Sequence, residues 1–492
     1  MTIEGGELSS PPPMSEKYVP SPLVPSFIEK LSYWRTDPSI VSAGELLEAS
    51  LVEGVESEAV TAARFLVSPS STATLPIRRL AALALKRAGK SDDIPEGVKV
   101  FDTGDKRAWR TRTRQHPDNP LAWVELSLHE VIGGKREEAR RAMRVALQLA
   151  PDSRHVLRSA ARMFLHLHEP DVAHDILLRS ARTPFDPWLM SAELAIAELA
   201  DRDPRFFVQG KKLVGSGTLR PRQSTELSSA LGTLELVAGG RKKARDFFRD
   251  SLIDPTGNAL AQAEWASPAF GIELVQARRL SLTNEAGEAT ALHLLREQKS
   301  EGVTEACERW SASEPYSIRP FEVGSGTAAA MGKYTDALAI AQRGLLIRPS
   351  APWLLNNRAF ALIHLGRMKE AENSLRSIHK TDEPTWFVSE ANRGLLAMRR
   401  GDYAAGLASY RAAIDGFKEI QKPGYAVIAQ TFLAREAGIA GLPQAKALIK
   451  EAREAGAFTG QDVILKEAEE ALNRPRLEAT PPLTGSAGSA QP

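Results

Sequence analysis

Apolar residues recur along most of this chain at steps of three and four, with Gly or Pro interrupting them every ~15–20 residues. That spacing places one apolar stripe on each of many short helices. Alternation of apolar and polar positions over a strand's length is not found as a recurring feature. The pattern predicts an all-α protein. Two ends fall outside it. Residues 1–25 are rich in Pro, Ser and Gly, and residues 475–492 run through Pro481-Pro482 into a Gly-Ser-Ala sequence. Neither carries enough large apolar groups to offset the entropy of ordering, so both are expected to be disordered.

The helical segments repeat. Gly332 precedes Ala337-Leu338-Ala339-Ile340-Ala341, and Pro349 follows. Thirty-four residues beyond Gly332 stands Gly366, then Ala371, Leu375 and, slightly late, Pro384; thirty-five further come Gly401, Gly406, Tyr410 and Ala413. Upstream, Gly134, Ala139, Met143, Ala146 and Pro151 share the spacing, as do Ala173 with Leu177, and Leu231-Gly232 with Gly239, Ala244, Phe248 and Pro255. A period in this range marks two-helix units that bury their apolar faces only by stacking on neighbours. The small residues let the helices of a unit approach, the longer ones fill the space beside them, Gly ends the first helix and Pro stops the second.

These residues resemble the tetratricopeptide repeat, a 34-residue helix–turn–helix unit with the pattern Trp-x2-Leu-Gly-x2-Tyr, Ala-x3-Phe, Pro. Trp123-x2-Leu126, Ala139-x3-Met143 and Pro151 carry it with substitutions; Leu231-Gly232, Ala244-x3-Phe248 and Pro255 carry it more closely. Units are read at 120–153, 154–187, 225–258, 318–351, 352–385 and 387–420. Weaker ones lie at 287–317 (Ala306-x3-Trp310) and 426–458 (Ala445-x3-Ile449). The first-helix aromatic is mostly absent, and the small residue varies among Ser127, Ala161, Gly232, Ser325, Ala359 and Gly394.

The resemblance implies a right-handed superhelical solenoid of tetratricopeptide-like repeats, whose first helices line a concave surface that holds an extended peptide or a partner helix. By phase, Asn356, Asn357 and Phe360, with Asn392 and Leu395 on the next first helix, are expected near that surface. Asn amides donate and accept, which suits a peptide backbone. Arg158 and Arg162 fall one turn apart and suit a carboxylate. The two-Lys, two-Asn, Arg clamp of chaperone-tail binders is not reproduced, since Glu322, Gly326 and Val388 stand at the matching places.

The expected organisation is a disordered segment at 1–25, then helices or degenerate repeats at 26–118, with Ala43–Phe65 and Ile77–Ala88 as helices. A first array follows at 119–264, interrupted near 188–224, then a bend at 265–286, a second array at 287–474 and a disordered tail at 475–492. Length supports several domains or one array, since 492 residues exceed a single core.

Charge and composition narrow the function. Sixty-three basic against sixty-one acidic side chains leave +2, so no whole-molecule field draws in nucleic acid or an anionic membrane. No secretory signal or long apolar span is read, and Cys307 is the one cysteine; a cytoplasmic protein is expected, with no disulfide, metal or cofactor. Gly326 to Gly332 before Lys333 has the wrong spacing for a phosphate loop, and Tyr334 replaces the metal-binding hydroxyl. His155, His166, His168 and His174 lack the spacing of a metal pair. Gly215-Ser216-Gly217 is a turn, and no activating base is identified for Cys307. The strip Lys106–Arg114 is more suggestive, because Arg107, Arg110 and Arg114 share a helical face that suits phosphate. The expected function is a non-catalytic scaffold or regulator binding a peptide or protein. The alternatives are a nucleic-acid-associated regulator using the 106–114 strip, or a helical support subunit of a separate enzyme.

Overall fold

A computed structural model describes residues 27–473, apart from 54–55, 74–76, 79–80, 83, 86–87, 96–105, 284–285, 381–383, 457 and 459. The expected disordered ends lie outside the described residues. Among those described there is no strand. The chain divides into two compact units: residues 1–332 with 339–349, and residues 333–338 with 350–492.

The first unit begins with α1 (Phe27–Thr36), α2 (Ile40–Glu53) and α3 (Glu56–Val67). The single helix expected over Ala43–Phe65 is therefore two, and they pack together through Leu46, Leu47, Ala62, Ala63 and Leu66, all fully buried. After α4 (Lys106–Gln115) the chain runs in pairs: α5 (Pro120–Ile132) with α6 (Arg136–Leu149), α7 (Arg154–His166) with α8 (Pro170–Arg179), and α9 (Pro187–Leu199) with α10 (Phe207–Gly215). Next come α11 (Pro221–Val237) with α12 (Arg241–Ser251), then α13 (Gly257–Phe270) and the short α14 (Ala277–Leu282), and α15 (Gly287–Arg296) with α16 (Val303–Ser313). The pair α17 (Arg319–Ala330) and α18 (Tyr334–Ile347) follows. The division between units falls inside α18.

The second unit holds α19 (Pro352–His364) with α20 (Met368–Arg376), α21 (Pro384–Arg399) with α22 (Tyr403–Glu419), and α23 (Pro423–Ala440) with α24 (Ala445–Glu454). The helix α25 (Gln461–Asn473) packs on α23.

Chain entry and exit of each pair have local causes. Pro opens many first helices, where its missing N–H costs nothing. Before α5, the Asn119 side chain accepts from the amides of Leu121 and Ala122, and before α9 Asp186 does the same for Trp188 and Leu189. At the exit, Gly134 takes φ +72°, and the next amide, Lys135, donates back to the Glu130 carbonyl at 2.8 Å. This left-handed cap satisfies carbonyls that the helix end would leave bare.

The same turn recurs where the sequence has no glycine. His168 (φ +60°), Asp201 (φ +52°) and Gln298 (φ +58°) take the left-handed conformation, and Glu169, Arg202 and Lys299 donate back to Phe164, Ala197 and Leu294. From Gly134 the left-handed positions fall at His168, Asp201 and Gly239, and from Gln298 at Gly332, Gly366 and Gly401. The interruption expected at 188–224 holds α9 and the short α10 of nine residues. The bend expected at 265–286 contains the end of α13, a left-handed Gly271 and the six-residue α14.

Inside the pairs, Ala139, Ala173, Ala244, Ala306, Ala337 and Ala371 are fully buried, and Met143, Leu177, Phe248, Trp310 and Leu375 are almost so. Backbones nearly touch at the small sites. The Ser127 hydroxyl donates to the Ala139 carbonyl at 2.9 Å, and a Cβ on Gly394 would lie 2.6 Å from the Tyr410 ring.

Candidate functional site

Within each unit, one test locates the inner side of the curve. Side chains from a first helix and the next but one can meet only on the side toward which the stack bends, because the intervening first helix separates them elsewhere.

In the first unit that side is charged. Helix α7 sets Arg158, Arg162 and His166 at four-residue steps on one face. Arg158 reaches Glu226 of α11 at 2.7 Å and lies over the Trp188 ring of the intervening α9, 5.3 Å from its centre. Arg162 donates to the Tyr316 hydroxyl at 3.0 Å and approaches Glu314 at 4.0 Å, while the His166 ring packs on Tyr316 with centres 4.9 Å apart. Tyr316 lies 154 positions along the chain from Arg162, so the curve brings α7 back against the loop before α17. The unit closes on itself a second time at the α5/α6 turn, where a Cβ on Gly134 would stand 2.9 Å from the Leu346 carbonyl oxygen. Tyr316 and Glu314 hold the Arg162 guanidinium ionised, raising its pKa against the cost of burial. Burial pushes His166 down to about 4, against the pull of Glu314. Burial also raises the Glu288 carboxyl, which Arg319 opposes from 3.5 Å.

In the second unit the corresponding side is aromatic. Trp353, Asn357, Phe360 and His364 form one stripe on α19; Tyr425, Ile428, Phe432 and Arg435 form one on α23. Rings bridge over α21: Phe360 meets Phe432 edge-on at 5.8 Å, and Trp353 meets Tyr425 at 6.4 Å. Tyr334 stacks on His364 at 4.2 Å. Burial, with Arg435 and Arg399 nearby, pushes His364 down to about 4. Arg435 forks onto Glu467 at 2.7 and 3.2 Å, and Arg399 holds Glu436 at 2.6 Å. Tyr425 remains 39% exposed and Ile428 37%, with Trp353, Phe360 and Phe432 half-buried.

The residues expected to hold a partner are distributed differently from the expectation. Phe360 and Asn357 lie on the aromatic stripe, half-buried. Asn356 and Asn392 do not: Asn356 donates to the Thr385 carbonyl at 2.9 Å, and Asn392 donates to the Asn356 side-chain oxygen at 3.2 Å. Both are buried, and Leu395 is 1% exposed. They face the seam between α19 and α21, one position out of phase with the stripe at 353, 357, 360 and 364. Arg158 and Arg162 do receive oxygen ligands, from Glu226, Glu314 and Tyr316 of this same chain.

The basic strip lies on α4. Arg110 is paired at 2.8 Å with the buried Glu130, Arg112 lies over Trp109 at 4.5 Å, and Arg114 is exposed. The Arg107 side chain lies outside the described set.

Other motifs are absorbed by packing. Gly324 lies against Cys307 and Ile340, and Gly332 is a left-handed turn. The Cys307 thiol is buried and pushed up to about 12 by that burial. His174 pairs with Glu193 at 2.9 Å inside the α8/α9 contact, and Glu193 also accepts from the Arg205 amide, which fixes the α9/α10 turn. Among the described residues no group of three His, Cys, Asp or Glu is arranged to hold a metal ion, and no helix is long and apolar enough to cross a membrane.

No family model matches the chain, and no curated protein matches it in sequence. Similar solved structures include the APC/C hetero-tetramer Cut9–Hcn1, at TM-score 0.42 and 14% identity over 90% of this chain and 92% of that one. Yeast Tom70 follows at 0.32 and 11%, covering 90% and 96%. The TPR domain of P58(IPK) stands at 0.22 and 18%, covering 73% and 98%. At these scores the likenesses carry no weight for arrangement or partner. The fold rests on the helix pairs and their turns: each unit is an all-α stack of tetratricopeptide-like helix pairs.

Proposed function

We propose that this solenoid is a non-catalytic scaffold, and that a peptide or helix of a partner protein binds along the aromatic stripes of α19 and α23. The supporting observation is the contrast in availability on the inner sides. The charged groups of the first unit already satisfy one another, whereas Tyr425 and Ile428 keep more than a third of their surface in water. Clustered aromatic side chains on a concave face are the usual energetic centre of a protein interface. Phe360 and Asn357 are carried over from the sequence expectation as contacts of this surface; Trp353, Tyr425, Ile428 and Phe432 are added to it.

Affinity capture from the native host tests this reading. Tyr425→Arg with Ile428→Asp should lose the partners that the unaltered chain retains, while Val463→Asp, at a site 74% exposed on α25, should keep them. Recovery of the same partners by the Tyr425→Arg, Ile428→Asp chain would remove the aromatic surface from consideration.

A further inference from the structure

Exposed aliphatic side chains and unpaired cations share one rim of the first unit. Helices α9, α11 and α13 pack side by side, so the turns that follow them, at Asp201, Gly239 and Gly271, lie along the same edge. Contacts tie these turns together: Lys211 of α10 meets Glu235 near the end of α11 at 2.7 Å, Arg241 donates to the Ala269 carbonyl, and Arg245 lies 5.7 Å over the Phe270 ring. Along this edge Val208 is 64% exposed, Val237 60% and Ile272 43%.

The cations beside them are placed against local electrostatics. Helix α12 opens with Arg241, Lys242 and Lys243 and has no acid in its first turn, although a helix N-terminus disfavours positive charge. Of the acids near the start of α12, Glu235 is held by Lys211, Glu273 by Arg296 at 3.4 Å and Asp246 by Arg249 at 3.4 Å, while Asp201 and Asp203, at the first of the three turns, are exposed and form no ion pair among the described residues. Among the described residues Lys212, Lys242 and Lys243 form no ion pair, and all three are exposed.

We infer that this rim is a peripheral docking surface for an anionic lipid bilayer. Aliphatic side chains in water, flanked by cations without internal partners, fit the boundary between acyl chains and phosphate head groups. A nucleic-acid strand would draw on the same charges but gains little from Val and Ile, which offer bases no stacking face. The inference is independent of the aromatic surface proposed for the partner.

The experiment is co-sedimentation of the full chain with vesicles of phosphatidylcholine alone and of phosphatidylcholine with phosphatidylserine, at low salt, with single-stranded DNA as competitor. Binding is expected to the anionic vesicles and not to the neutral ones. Lys242→Ala with Lys243→Ala should weaken it about 30-fold, from about 1 kcal/mol for each basic residue near the surface. Val237→Ser with Ile272→Ser should weaken it as well, and Val463→Ser should leave it unchanged. Absence of binding at low salt would overturn the inference. So would binding that survives Val237→Ser with Ile272→Ser and is displaced by the DNA, since that outcome assigns the rim to a polyanion.

Discussion

The inner sides of the two units are built from the same helix pairs yet solve different problems. In the first, Arg158 meets Glu226 and Arg162 meets Tyr316, so the charges lining the curve serve as internal ties between distant repeats. In the second, Phe360, Phe432, Trp353 and Tyr425 touch ring to ring while keeping surface in water. A polar lining is held in one arrangement by directional partners, and removing one leaves a buried group unsatisfied. An aromatic lining is less specific about its neighbours and can accept another apolar surface in place of water. Repetition fixes the architecture, and the inner-side residues decide whether a curve holds itself or holds a partner.

The largest test of this contrast is Tyr316→Ala. It removes a ring 5% exposed, the acceptor for Arg162 and the surface on which His166 packs. A loss of about 4 kcal/mol is expected in chemical unfolding of the first unit, with little change in the second. Equal loss in both units would mean that Tyr316 is not a local tie. Asn356→Ala should cost about 2 kcal/mol in the second unit, since the bond to the Thr385 carbonyl is lost and the Asn392 amide keeps only the longer contact to the Asn356 carbonyl at 3.4 Å. A change within error at that position would show the seam to be wetter than its burial implies.

Acid sharpens the comparison from another side. His166 and His364 both fall to about 4 from an ordinary 6.5, so each folded unit favours the neutral imidazole. The unfolded chain then binds more protons between those values, and stability rises with pH across that window. The contribution should be fully present above pH 6.5 and lost as pH falls toward about 4. His364→Phe should flatten this dependence in the second unit alone, as read by amide exchange at pH 7 and pH 5; an unchanged slope there would place the acid sensitivity elsewhere. The smallest effect is expected at the turns. His168→Gly, Asp201→Gly or Gln298→Gly relieves a left-handed non-glycine residue and should stabilise by less than about 1 kcal/mol. A clear destabilisation would show that those side chains hold the turn.

Much of the architecture is legible in the sequence because packing demands recur at fixed intervals. Ala139, Ala244 and Ala371 each announce a close helix contact, and Met143, Phe248 and Leu375 the side chain that fills it. The short helices α10 and α14 are hidden for physical reasons. Asp201 occupies the left-handed turn in place of Gly, α10 has only nine residues, and α14 only six. The binding surface is less legible still. Asn356 and Asn357 differ by one position, which is 100° on a helix; one is sealed into a seam and the other lies on the aromatic stripe. The stripe on α23 does have a signal, Tyr425, Ile428 and Phe432 at three- and four-residue steps, but only the fold shows which neighbour that face meets.

Amide hydrogen exchange on the full chain, with and without a captured partner, tests most directly which inner side does the binding. Protection is expected across residues 353–360 and 425–432, with residues 158–166 and 314–316 unchanged. Protection confined to the α7 face and the Tyr316 loop, with α19 and α23 unaffected, would contradict the assignment and return the binding role to the charged curve.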